Sequence, residues 1–378
     1  MRPEARPSLA ERWGALGRPF PLLPRRGAAM VLALLCAAVA WSALTPSAPE
    51  PEAPDLPVTA SPAVAPVSPD RAKGDMALYA RIAARMAAGE DYYAAALGEQ
   101  RASNYPTAPF VAVRLPTLAW VQAAIGVDGV RYLALGIVAA CLAALNWHPA
   151  LLVSLPERLA ASLLLVLGGG AAFSPVAGYD HDFIAGLLLT LALLAYRPDR
   201  WWPALLAAGA ALALRELAAP FVLLWLAFAL AGQRWREAAA LAGLLGALMV
   251  GLALHYAAVD AGRLPGDLAS QGWSAVSAYG LPLAALSHLT GLRFLPVSLA
   301  GPLAILPLVG WAGLGGRPGL FAAVWFAGLA TMMAVFARPE NYYWAELGLP
   351  AYAIGLAFVP RALIGLVRST IAPTSRQT

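Results

Sequence analysis

Charge is what this sequence has least of. Only 12% of its 378 residues are Asp, Glu, Lys or Arg, while 60% are hydrophobic; a soluble domain carries about twice that charge. The shortage excludes an ordinary water-soluble enzyme, and equally a disordered chain, which needs the opposite bias. Cysteine is nearly missing as well. Cys36 and Cys141 both lie in apolar runs, which excludes a disulfide framework or a thiolate zinc site and leaves each as a small buried hydrophobe. Histidine is equally scarce, and His148, His255 and His288 show no metal-ligand spacing and read as interfacial. No Walker loop, G-x-G-x-x-G fingerprint, H-E-x-x-H or C-x-x-C occurs; Gly168-Gly169-Gly170 lies mid-span and reads as close helix packing. Internal repeats of the kind that build many transporters are absent too.

What is present is apolar sequence in long runs. A helix needs roughly 20 apolar residues to cross a bilayer, so the composition fits an all-α polytopic membrane protein with about ten transmembrane helices. Candidate spans fall at 27–44, 130–147, 157–173, 182–196, 202–214, 217–232, 238–256, 294–311, 319–336 and 345–360. The net charge of +5 comes from arginines in short clusters between these runs, the pattern of cytoplasmic loops rather than of a nucleic-acid surface. Residues 1–26 hold six arginines and read as a cytoplasmic N-terminus; 27–45 is then a signal anchor, or a signal peptide cut after Ala38-Val39-Ala40. Residues 46–69 are a Pro-rich linker. A segment at 70–129 follows on the outer face, then a multi-span domain at 130–361 and a cytoplasmic tail at 362–378. The outer segment opens with an amphipathic helix from Asp75 to about Gly89, in which Leu78, Ile82 and Met86 recur at helical spacing. Such a helix lies on the membrane surface. Residues 107–126 are apolar, yet contain Arg114 and Pro116. They either pack on the outer face as a bent helix, or cross, with 150–156 returning as a re-entrant piece.

The few carboxylates with chemical potential gather at span ends on the outer side. Asp75 starts a helix, where a carboxylate is stabilised; it either caps that helix or acts as a general base, with Tyr79 one turn on. Asp180-His181-Asp182 precedes an apolar run. Three adjacent residues cannot all point into one metal site from a helix, so a polar cap facing a substrate cavity is the better reading. Arg215-Glu216 sits where 201–235, too long for one span and short for two, must break into two short helices. This pair is either a structural salt bridge or an anion clamp, with Arg215 on a phosphate oxygen and Glu216 orienting it. The 338–344 segment, with Arg338, Glu340 and three aromatics, is either a membrane-interface belt or a sugar platform.

This order of features resembles the GT-C superfamily of polytopic membrane glycosyltransferases, the group of the protein O-mannosyltransferases and aminoarabinose transferases. The residues that carry the likeness are Gly74-Asp75-Met76-Ala77-Leu78-Tyr79 with Gly89-Glu90-Asp91-Tyr92-Tyr93 after it, then Tyr105-Pro106, Arg114-Leu115-Pro116, and Ser174-Pro175 through Asp182. Met76 stands where the mannosyltransferases carry the second acid of an Asp-Glu doublet. The resemblance implies a GT-C-like fold with an outer loop of amphipathic helices after the first span. It implies transfer of one sugar from a polyprenyl-phosphate donor to a lipid, glycan or protein acceptor, with inversion. Asp75 and Asp182 would then be catalytic, and Tyr79, Arg114, His181, Arg215, Glu216, Arg338 and Glu340 would bind substrate. No cofactor or metal is implied. The location expected is a bacterial inner membrane, with both termini cytoplasmic and the site facing the periplasm. A transporter or lipid flippase, and a surface-glycan ligase or polymerase, are the competing functional readings.

Overall fold

The computed structural model describes residues 17–45, 74–148, 154–273 and 275–371. The Pro-rich linker at 46–69, most of the N-terminal arginine segment and the end of the C-terminal tail lie outside them. Among the described residues all regular structure is helical. The chain is an all-α, multi-pass integral membrane protein, with helices labelled α1 (Arg25–Leu44), α2 (Asp75–Ala87), α3 (Tyr92–Ala102), α4 (Thr117–Asn146), α5 (Leu155–Gly168), α6 (His181–Ala195), α7 (Trp202–Leu214), α8 (Ala219–Ala231), α9 (Trp235–Ala261), α10 (Gly280–His288), α11 (Val297–Leu314), α12 (Gly316–Phe336) and α13 (Leu349–Ile371).

The expected count of about ten spans is corrected here. Among the described residues six segments are long and apolar enough to cross: α1, Phe110–Asn146, α9, α11, α12 and α13. The sequence count went too high because apolar content does not report helix length. Helices α7 and α8 have 13 residues each, α5 has 14 and α6 has 15, or about 20–22 Å at 1.5 Å per residue, against a hydrocarbon core of about 30 Å. The stretches 107–126 and 130–147 also prove to be one segment. Helix α4 runs from Thr117 to Asn146 and is only kinked at Gly126, whose φ of 75° suits a residue without a β-carbon.

Two ends of the bundle follow from helix direction. Helix α13 starts next to the 339–347 turn and finishes where the Ser369 hydroxyl donates to the Phe20 carbonyl (3.0 Å). Its 23 residues span about 34 Å. Helix α1 starts at this same end, where Ala28 packs with Ala362 and Leu366. Backbones approach closely where glycines meet: a β-carbon on Gly310 would run into the Gly355 carbonyl of α13, and one on Gly301 into the Ser42 carbonyl of α1. Small residues of this kind are the usual interface in lipid, where burial of apolar surface drives little. Cys141 is buried as expected, whereas Cys36 is exposed on α1.

Over the opposite end lies a cap formed by α2, α3 and the segment leading into α4. The apolar side of α2 does not face lipid, contrary to the surface-helix expectation. Leu78 and Ile82 are buried against Tyr92, Ala95, Val113 and Val259. The periodicity identified the helix, but Arg81 and Arg85 decide where it docks: both reach Glu99 on α3 (2.9 and 3.2 Å).

Candidate functional site

Helix ends build the site. Gly74, with φ of 102°, turns the chain into α2 and leaves Asp75 in its first turn. The Asp180 side chain accepts from the Phe183 amide (2.9 Å) and caps α6, which fixes His181 and Asp182 in the first turn. Helix α7 stops at Leu214, and Arg215 is extended (φ −148°, ψ 114°). Glu216 then opens a short 3-10 turn before α8. The expected break at Arg215-Glu216 is therefore where the chain breaks. A second 3-10 stretch, Pro339–Leu347, brings in Tyr343.

These ends converge. Asp182 accepts from Arg215 Nε through Oδ1 (2.7 Å), and Arg215 Nη1 donates to Glu216 Oε1 (2.5 Å). Arg215 is 2% exposed and Asp182 4%, so both are committed to each other. Arg114 faces the same carboxylate, but its Nη2 stands 3.8 Å from Asp182 Oδ2, beyond hydrogen-bond reach. Its guanidinium is held instead by phenols: Nε donates to the Tyr79 hydroxyl (2.8 Å) and Nη2 to the Tyr343 hydroxyl (3.3 Å). Its carbon lies 6.0 and 5.6 Å from the centres of those two rings, within cation–π range. The Tyr92 hydroxyl donates to the Arg114 carbonyl (2.5 Å), pinning the backbone. His181 sets its ring edge-on to Tyr79, centroids 4.8 Å apart, while Nδ1 donates to the Tyr179 carbonyl (3.1 Å).

Asp75 stands at the half-buried rim of this cluster. The Tyr105 hydroxyl hydrogen-bonds it. Burial above all, with the nearby Asp75 charge and that bond adding to it, pushes the Tyr105 phenol well above its usual range. Burial also drives the Tyr79 phenol upward; Arg114 opposes that, and the Asp75 charge adds to it. Both phenols are thus neutral donors at any physiological pH. Behind the cluster, Glu346 and Asp180 share a hydrogen bond. Burial raises the Glu346 carboxyl well above the carboxylate range, and the negative charges of Asp180 and Asp182 add to the effect.

Of the residues singled out from the sequence, Asp75, Tyr79, Arg114, His181, Asp182, Arg215 and Glu216 meet here. Arg338 and Glu340 belong to a neighbouring group: Arg338 Nη1 is 3.7 Å from Glu340 Oε1, and its Nη2 donates to the Gln271 carbonyl (3.1 Å). Sequence reasoning did not single out Tyr343, Tyr105, Tyr92 or Glu346 as site residues. Tyr343 carried a signal as part of an outer aromatic run; Glu346, three residues before an apolar helix, carried none. Among the described residues no group of three or more His, Cys, Asp or Glu is placed to hold a metal.

Chemically, the cluster offers a half-buried carboxylate, three phenols and one guanidinium whose nearest carboxylate oxygen lies beyond hydrogen-bond reach. A second guanidinium stands behind them, closed by two carboxylates. No known protein family, curated protein or solved structure matches this chain. The likeness to GT-C enzymes therefore rests on the sequence features alone, and the fold itself establishes a multi-pass, all-α membrane protein.

Proposed function

We propose that the protein is a membrane glycosyltransferase that moves one sugar from a polyprenyl-phosphate carrier to an acceptor hydroxyl, at the end of the bundle opposite Arg25. The observation that carries this reading is the convergence of seven residues, from α2, the segment before α4, α6 and the α7–α8 break, on one cluster that includes the half-buried Asp75. Charged residues at membrane depth are costly and mark function when they meet in this way. Arg18, Arg25 and Arg26 at the other end support, by the positive-inside rule, a site on the outer face.

In the proposed reaction the acceptor oxygen attacks the anomeric carbon and the bond from that carbon to the phosphate oxygen breaks. The lipid phosphate leaves with the bonding pair, and Asp75 takes the hydroxyl proton. Arg114 is the guanidinium suited to the departing phosphate. Its nearest carboxylate oxygen is 3.8 Å away, so it keeps bonding capacity that Arg215 has already used. Asp182, with both oxygens turned to guanidiniums, positions Arg114 and Arg215 and takes no proton itself. Charge developing on the leaving oxygen is met by preorganised donors, usually the largest electrostatic contribution in such reactions.

The test is Asp75→Asn, assayed for sugar release from a polyprenyl-phosphate donor in membranes carrying equal amounts of inserted protein. The expected result is a loss of about 100-fold or more, the range for removal of a general base. Full transfer in that variant removes Asp75 from the mechanism. Lipid or solute movement by the purified protein in liposomes, with no sugar transfer, establishes the flippase or transporter reading instead.

A further inference from the structure

At the end of the bundle remote from the site, a cavity of about 500 Å³ opens between the segment before α1 and the last turns of α11 and α13; Arg18, Pro21, Gly313, Arg361, Ile364 and Arg368 are among its lining. We propose that this cavity binds the phosphate head group of an anionic phospholipid.

Three arginines face one space. Arg361 and Arg18 stand close enough to repel each other, and gathering like charges is unfavourable unless an anion lies between them. Arg361 is partly answered by Glu157 (Nε to Oε1 3.3 Å), yet neither its Nε nor its Nη2 makes a hydrogen bond. Among the described residues, Arg18 and Arg368 make no ion pair or side-chain hydrogen bond, and both are exposed. The cavity thus holds an excess of positive charge, with two of its three lining guanidiniums exposed and unpaired among the described residues. Oxygen atoms of a phosphate diester supply what is missing.

The surroundings identify a lipid rather than a free ion. Ile364 lines the cavity and is 53% exposed, and Val367 and Ile371 continue the same exposed apolar side of α13, at the three- and four-residue spacing that makes one helix face. A phosphate seated among the arginines therefore has its acyl chains laid along that strip. Glycines shape the floor: a β-carbon on Gly365 would stand 3.0 Å from the Pro21 ring, and one on Gly313 3.0 Å from the Phe20 ring. The pre-α1 segment rests on these two positions and forms one wall. A volume of this size lies within the range of small-molecule sites, and basic pockets at the membrane boundary are a known form of lipid recognition.

The experiment uses the full chain in detergent, with native mass spectrometry of retained lipid after addition of phosphatidylglycerol or phosphatidylcholine. Phosphatidylglycerol is expected to be retained on the order of 100-fold more strongly, the fold-change that corresponds to roughly 1 kcal/mol for each of three arginines near an anionic surface. The Arg18→Gln/Arg368→Gln double variant is expected to bring it down to the phosphatidylcholine level. Arg18→Lys/Arg368→Lys, which keeps the charge, is expected to retain most of the preference. Equal retention of the two lipids by the unaltered protein, or undiminished phosphatidylglycerol binding by the Gln variant, overturns the proposal. Inorganic phosphate that displaces phosphatidylglycerol at matching concentration also overturns it, because the site then reads a free anion.

Discussion

Arg114 and Arg215 share a carboxylate but differ in what they have left to give. Arg215 is closed by Asp182 and Glu216 at 2.7 and 2.5 Å; removing it strands two carboxylates in a dry environment, a defect worth about 3–5 kcal/mol. Arg215→Gln is therefore expected to lower thermal stability in detergent by that amount, with activity lost through unfolding. Arg215→Lys rescues little, because an ammonium cannot present the planar fork that spans both acids. Arg114→Gln is expected to behave in the opposite way. Its partners are phenols that stay neutral without it, so the melting temperature moves little while the proposed transfer falls. A melting curve and a transfer assay on the two variants separate a structural arginine from one that meets substrate. Asp75, Arg114, Asp182 and Arg215 were legible in the sequence because charge is so rare that each one stood out. Tyr343 was not, since a tyrosine in an aromatic run reads first as an interface anchor. Glu346 was hidden because its pairing with Asp180 joins segments far apart in the chain.

Between elements, glycine sets the distances. Gly186 on α6 lies under the Glu346 carbonyl, and Gly310 and Gly355 place α11 and α13 backbone to backbone; a β-carbon at any of the three would overlap a carbonyl oxygen. Gly355→Ala is expected to cost about 1–3 kcal/mol, the range for overpacking. Gly246→Ala on α9, where nothing lies within 4 Å, is expected to be neutral or slightly stabilising, since alanine is the better helix former. Comparing the two melting temperatures tests whether the crossing or the residue type matters. The sequence marked α2 by its period and the α7–α8 junction by a run too long for one span and short for two. It misjudged how many helices cross because α5, α6, α7 and α8 fall short of spanning length, and composition is blind to length. It also sent α2 to the lipid, when the ion pairs of Arg81 and Arg85 with Glu99 turn the apolar side onto protein.

For the molecule as a whole, the two long segments at the site end are tied together. Arg101 grips Asp267 through two bonds (Nε 2.6 Å, Nη2 2.8 Å) and the Gly262 carbonyl (2.6 Å), while the Thr107 amide donates to the Leu268 carbonyl (3.0 Å). The Arg101 hydrogen bond, assisted by the Leu264 amide and opposed by partial burial, holds the Asp267 carboxyl at about 2 against an ordinary 3.8. A lowered carboxyl stabilises the folded cap fully above its ordinary value, and the contribution is lost as pH falls through about 2. Hydrogen exchange in 262–273 is expected to be unchanged from pH 7 down to about 4 and to rise below it, after correction for the intrinsic rate; Arg101→Gln is expected to show the acid level of protection throughout.

The pairing of α1 with α11 and α13 has a consequence for how the chain is made. Among the described residues α1 has only Ala28 and Ser42 buried, and its neighbours Gly301, Ala362 and Leu366 lie far downstream in the chain. Until synthesis reaches them α1 waits in the bilayer without these partners, so this side of the bundle closes only after α11 and α13 have been made. A truncation before α11 strands α1, and quality control that senses unpaired spans then has its signal at α1 rather than at the cut.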